Sequence, residues 1–263
     1  MFNWGLMDLN IISILEQRII VMTTTKSTKI GSGDLCDDLV TIKPGDPSIN
    51  LYCFFFNSGD ISDQYRDIAY ALPGRVRVLG IGRPGCKYFC TIEDYALDAA
   101  ERIGRVQKEG PFYLTGFCFG GLIALKTALI LEKRGYQVSC CLIDIPYHRK
   151  RLRYYLEYGL YFYLVRNRWL YSRLKPKVRT KLRRYAKRYN YKTLWKKDFY
   201  FKGPCVIFLG EHMVYRDSYK GYEQNLAGHF QNVDLFFLED HHHDMLCQPG
   251  SSRVAEAISQ WFY

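Results

Sequence analysis

From residue 51 onward, short apolar runs alternate with longer segments whose apolar positions recur every three to four residues. The runs at 51–56, 76–81, 112–115, 139–143, 205–209 and 233–238 predict strands, and the periodic stretches at 63–71, 92–108, 120–134, 217–227 and 253–262 predict helices. Strands separated by helical segments form βαβ units, so the pattern predicts an α/β domain over 39–263 with a mostly parallel central sheet flanked by helices. Two stretches stand outside it. Residues 1–38 read as an extension: 10–21 (NIISILEQRIIV) predicts a short amphipathic helix, 22–34 is a flexible Thr/Ser/Lys/Gly-rich stretch, and Met22 competes with Met1 as the start of translation. Residues 147–200, dense in Arg, Lys, Tyr and Trp, interrupt the alternation and predict helices broken near Pro176, inserted between two core strands.

Composition changes this picture in two respects. The chain of 263 residues has 48% hydrophobic and 24% charged residues, ordinary for a globular domain, but a formal net charge of +11. Much of that surplus lies in 147–200, and it favours acidic partners. The alternative is a solvated helical face whose aromatics pack inward. Nine cysteines, an odd number at spacings that match no zinc pattern, argue against a disulfide framework and for a reducing compartment. With no apolar run long enough to span a bilayer and no basic lead-in to a signal peptide, the expected location is the cytoplasm.

The candidate chemistry sits at Thr115-Gly116-Phe117-Cys118-Phe119-Gly120-Gly121, between a predicted strand and an apolar helix. It fits G-x-S-x-G with Cys for Ser, the sharp turn that exposes a nucleophile above the sheet of an α/β-hydrolase fold. Cys118 is then the nucleophile, the Phe119 N–H helps form the oxyanion hole, and the helix dipole behind Cys118 is expected to favour the thiolate. A structural cysteine in a Gly-rich turn is the bland alternative. A base and an orienting acid must follow in the order nucleophile, acid, histidine. Asp144, after the strand at 139–143, is the first choice of acid, and Glu211, after the strand at 205–209, the second. The histidine comes from the run His241-His242-His243. A metal site from these histidines and Asp244 is disfavoured, because successive side chains diverge and no second ligand cluster has metal-like spacing.

These residues resemble the thioesterase domains that release products from nonribosomal peptide and polyketide synthetases. The similarity runs from about residue 38 to the end. Gly110-Pro111-Phe112-Tyr113-Leu114 through Cys118 to Ala124, with Leu131-Glu132-Lys133-Arg134-Gly135, is similar to the family's central block. Leu142-Ile143-Asp144-Ile145-Pro146 looks like the strand end that carries its catalytic Asp, and His242-His243-Asp244-Met245-Leu246 resembles its H-x-x-M-L segment. The resemblance thus implies a triad of Cys118, Asp144 and His242, with His241 as the alternative base. Residues 51–59 (LYCFFFNSG) resemble the first strand and oxyanion loop, implying a second N–H donor at Asn57, although Phe55-Phe56-Asn57 departs from the usual His-Pro-small. The insertion at 147–200 matches the family's lid, and Cys replaces the more common Ser.

The resemblance implies an enzyme without a cofactor of its own, acting on an acyl or peptidyl chain held as a phosphopantetheine thioester on an acidic carrier protein. Hydrolysis and cyclisation both remain open, as do a free-standing protein and an excised terminal domain. A dienelactone-hydrolase-like enzyme would instead depend on Glu211. A nucleic-acid-binding or scaffold protein on an inactive hydrolase fold would use the Arg/Tyr mixture for phosphate contacts and base stacking.

Overall fold

A computed structural model describes residues 39–54, 60–82, 92–145, 199–210, 226, 228–242 and 244–263. The expected extension at 1–38, nearly all of the insertion at 147–200 and all of the helix expected at 217–227 but residue 226 lie outside the described residues, as do Asn57, Glu211 and His243.

In chain order the elements are β1 (Val40–Lys43), β2 (Asp46–Phe54), α1 (Ile61–Ala71), β3 (Val76–Ile81), α2 (Ile92–Val106), β4 (Phe112–Phe117), α3 (Phe119–Lys133), β5 (Val138–Ile143), β6 (Phe201–Gly210), β7 (Phe230–Leu238) and α4 (Gly250–Ser259), with a 3₁₀ turn at Gln260–Phe262. The strands form one seven-stranded sheet in the order β1-β3-β2-β4-β5-β6-β7. Among the described residues, only the β1–β3 pairing is antiparallel. This is the mostly parallel sheet the apolar runs predict. β1 is missing from the prediction because four alternating residues, VTIK, give no periodic signal of their own.

Two features of the sheet place the site. First, β4 and β5 are covered on both faces, and their runs Phe-Tyr-Leu-Thr-Gly-Phe and Val-Ser-Cys-Cys-Leu-Ile are almost wholly buried. α3 packs directly on them. It is therefore apolar over most of its circumference, with Leu122, Ile123, Ala124, Leu125, Ala128 and Leu131 all buried. Second, the chain runs from β2 out to β3, then returns across β2 to β4. The strand order reverses between β2 and β4, and the crevice beyond the carboxyl ends of two such strands is where open α/β sheets bind ligands.

The opposite, amino-terminal end of the sheet is closed by polar groups that satisfy one another. Asn50 donates to Pro47 O at 2.8 Å and to Gln107 Oε1 at 3.0 Å, Tyr52 OH donates to the same Oε1 at 3.1 Å, and Arg77 Nε donates to Asn50 Oδ1 at 2.6 Å. The buried ammonium of Lys43 caps the end of α1, donating to Leu72 O at 2.9 Å and Pro73 O at 2.8 Å. Burial lowers its pKa. At the start of β6, the Glu132 carboxylate accepts the N–H groups of Lys202 (2.9 Å) and Gly203 (3.0 Å), fixing where the chain re-enters the sheet after the 147–200 stretch.

Candidate active site

Cys118 stands between the last residue of β4 and the first of α3, with φ 50° and ψ −115°. A non-glycine residue in that region is strained by roughly 1–3 kcal/mol, and such strain persists only where the surroundings over-determine it. Here they do. The Cys118 N–H donates to Ile143 O at 2.7 Å and its carbonyl accepts the Gly121 N–H at 3.1 Å. The glycines let the helix come this close: a Cβ on Gly116 would lie 2.6 Å from the Gly121 nitrogen, and one on Gly121 would lie 2.7 Å from Gly116 O. The tightest approach is to Gly120, the second glycine of the G-x-C-x-G pattern, whose O and C would lie 2.4 and 2.5 Å from a Cβ on Gly116, with Gly121 immediately behind it.

Asp144 follows β5 and is the other non-glycine residue with positive φ among the described residues, at 48°. Its N–H donates to Phe208 O at 2.7 Å, which turns the 1%-exposed carboxylate toward the carboxyl end of β6. There Oδ1 accepts the Gly210 N–H at 3.1 Å, and Oδ2 accepts a hydrogen bond from His242 Nδ1. A carboxylate on Nδ1 holds the imidazole in the tautomer that leaves Nε2 free of a proton to accept one. The His242 ring packs against Phe117, the residue before Cys118, with centroids 4.5 Å apart and planes inclined by 31°.

The structure thus brings Asp144 to His242, and through Phe117 sets the imidazole beside the Cys118 turn. His241 is exposed, whereas Met245 and Leu246 of the same segment are buried. The segment is anchored by its Met-Leu pair, and His242 faces Asp144. Gly210 carries part of this fit, since a Cβ there would meet Met245 Sδ at 2.9 Å and Asp144 Oδ1 at 3.5 Å. Sequence reasoning misses Gly210, whose backbone donor leaves no side-chain signal, and Phe117, whose place inside an apolar strand reads as core.

One expectation is corrected. The helix dipole is expected to favour the Cys118 thiolate, yet burial pushes this thiol from its usual 9.0 up to about 12. A hydrogen bond from the Phe119 N–H to the sulfur pulls downward, and the Asp144 charge pushes further up. Desolvation is the largest influence on the sulfur, and it favours the thiol. Among the described residues, no group of three or more His, Cys, Asp or Glu side chains is placed to hold a metal ion.

Residues 49–155, the stretch that holds the turn and Asp144, match the profile of a family described as Thioesterase domain. The resemblance to thioesterase domains read from the sequence is borne out over these residues. Curated relatives agree with it: malpinin synthetase of Mortierella alpina is 29% identical over 147 residues, and malpibaldin synthetase of the same organism 31% over 139. These alignments cover 53% and 50% of the chain, and each spans about 2% of the synthetase. Among solved structures, the NocB thioesterase domain from the nocardicin cluster superposes with a TM-score of 0.57 at 20% identity, covering 84% of this chain and 97% of that one. YbtT, a type II thioesterase from the yersiniabactin NRPS/PKS pathway, gives 0.59 at 15% identity, covering 86% and 99%. The fold is the α/β-hydrolase fold of such thioesterase domains. No helix among the described residues is long and apolar enough to cross a membrane.

Proposed function

We propose that the chain is a thioesterase that releases an acyl or peptidyl chain from the phosphopantetheine thioester of a carrier protein, through an acyl-enzyme on Cys118. The observation that carries this reading is the Gly210–Asp144–His242 array, built on the ends of β5 and β6 beside a strained nucleophile turn. His242 Nε2 takes the Cys118 proton as the sulfur attacks the thioester carbonyl. A carbon–sulfur bond forms to Cys118, the bond to the phosphopantetheine sulfur breaks, and His242 returns the proton to that leaving thiol. The Phe119 N–H, already on the Cys118 sulfur, is positioned for the developing oxyanion, and the sequence resemblance assigns the second donor to Asn57.

With a thiol held near 12, Cys118 suits a reaction in which attack and proton transfer are coupled within the site, rather than one relying on a standing thiolate. Replacing one thioester by another is nearly isoenergetic, so the acyl group stays activated for a second acceptor. Water completes hydrolysis, and an amine or hydroxyl of the chain itself completes cyclisation. The matched synthetases of Mortierella alpina, the position of Asp144 after β5 and its bond to His242 support this reading over a dienelactone-hydrolase-like one, which would use the acid at 211.

Incubation with a short synthetic acyl thioester, followed by intact mass and thiol release, tests the proposal. The wild type should gain one acyl mass and release thiol, while Cys118→Ala should do neither at more than background rate. A folded wild type that neither acylates nor releases thiol across several acyl groups would overturn it. The same reaction with an acidic carrier as donor should weaken as salt rises from about 50 to 500 mM, whereas the small thioester should be insensitive. Equal salt response of both donors would remove the basic stretch at 147–200 as the carrier's contact.

A further inference from the structure

Two strand ends flank the crevice where the sheet order reverses. β2 ends at Phe54 and β4 at Phe117, and the parallel register between them runs only as far as Phe54↔Gly116. One side chain bridges the last groups. Tyr65, on α1 and fully buried, donates its hydroxyl proton to Phe54 O at 2.7 Å and accepts the Phe117 N–H at 2.9 Å. Its phenol is thus satisfied on both sides, and desolvation raises its pKa well above the usual 10.0. A phenol that stays protonated across the working pH range stays a donor toward Phe54 and an acceptor toward Phe117.

Phe117 is the last strand residue before the strained Cys118, and its ring is the one packed on His242. A packing role alone would need the ring and not the oxygen. We propose that Tyr65 is a positioning residue for the acylation step: its hydroxyl clamps the end of β2 to the backbone of Phe117, and so sets the Cys118 turn and the Phe119 N–H relative to the substrate carbonyl. This rests on the acyl-enzyme reading above. Acylation needs the sulfur and the Phe119 N–H set together against the substrate carbonyl, whereas alkylation needs the sulfur alone, so a loosened turn shows in the first reaction more than in the second.

The test compares two reactions of the same sulfur in wild type and Tyr65→Phe. Acylation by a small thioester develops an oxyanion, and alkylation by iodoacetamide does not. Tyr65→Phe should slow single-turnover acylation by about ten- to a hundredfold with the thioester concentration for half-maximal rate changed less than about threefold, while alkylation of Cys118 stays within about twofold. Acylation at the wild-type rate would overturn the proposal, as would equal slowing of both reactions, which would make Tyr65 merely a support of the turn. A wild type that is alkylated but never acylated would instead be the failure of the thioesterase reading. If Tyr65→Phe does not fold, 3,5-difluorotyrosine at position 65 keeps the ring and weakens the hydroxyl as an acceptor. Its acylation-to-alkylation ratio should fall several-fold, and an unchanged ratio would overturn the clamp.

Discussion

The Asp144 carboxylate divides its two oxygens between a backbone donor and an imidazole, a division that suits the orienting role proposed for it better than that of a second base. Asp144→Asn keeps the side-chain shape but offers Nδ1 of His242 an amide, which accepts more weakly and presents N–H groups of its own. The imidazole is then free to adopt the tautomer with a proton on Nε2, and the base function is lost. Acylation by a small thioester should fall by about 10²- to 10⁴-fold, and alkylation of Cys118 by iodoacetamide should fall with it, because both reactions need the thiol proton removed. Stopped-flow thiol release checks the first, and intact mass the second. Cys118, Asp144 and the Met-Leu anchor beside His242 are all legible in the chain, because side-chain chemistry in a fixed order is a sequence property. Gly210 and the hydroxyl of Tyr65 are not. The first acts through its backbone, and the second sits on the buried face of α1, where any aromatic reads as packing.

At the scale of elements, the approach of α3 to β4 is the dimension on which the turn depends. Gly116→Ala would put a Cβ 2.6 Å from the Gly121 nitrogen, backbone that cannot swing aside, and should destabilise the fold by about 3 kcal/mol. Gly104 offers the control. It lies inside α2 with nothing within 4 Å of where an alanine methyl would sit, so Gly104→Ala should stabilise by about 0.5–1 kcal/mol through helix propensity. Denaturant midpoints of the two variants should move in opposite directions. Elements are legible in the sequence where their apolar runs are long. The apolar run puts the start of β2 at 51, but the strand begins at Asp46, because its first residues are exposed and polar and carry no apolar signal. β1 escapes the pattern for a related reason: only half of its four residues are buried, at an edge that tolerates polar side chains.

Across the whole molecule, charge and thiols are distributed unevenly. Residues 147–200 hold 18 of the 37 lysines and arginines but only 2 of the 26 aspartates and glutamates, so the rest of the chain is net acidic. The basic character belongs to one stretch of the sequence and not to the rest of the chain. The core's own titration points elsewhere. Burial raises the thiols of Cys53, Cys118, Cys140, Cys141 and Cys205 above the usual 9.0. In the unfolded chain these groups lose protons near pH 9, whereas in the folded chain they keep them. The unfolded state then binds fewer protons, and stability falls as pH rises past about 9. Melting temperature in reducing buffer should hold steady below that pH and decline above it, with a shallower decline in Cys140→Ala.

Four of those thiols line the inner strands: Cys53 on β2, Cys140 and Cys141 on β5, and Cys205 on β6, all buried. They form a built-in reporter of the sheet's integrity. Among the described cysteines, a thiol-reactive dye added to the native protein reaches Cys118 and the exposed Cys247 first, and labelling that peptide mapping assigns to Cys53, Cys140, Cys141 or Cys205 records an opening of the central strands. The rate of that slow phase measures how often the scaffold beneath the nucleophile turn comes apart, with no added probe and no substrate.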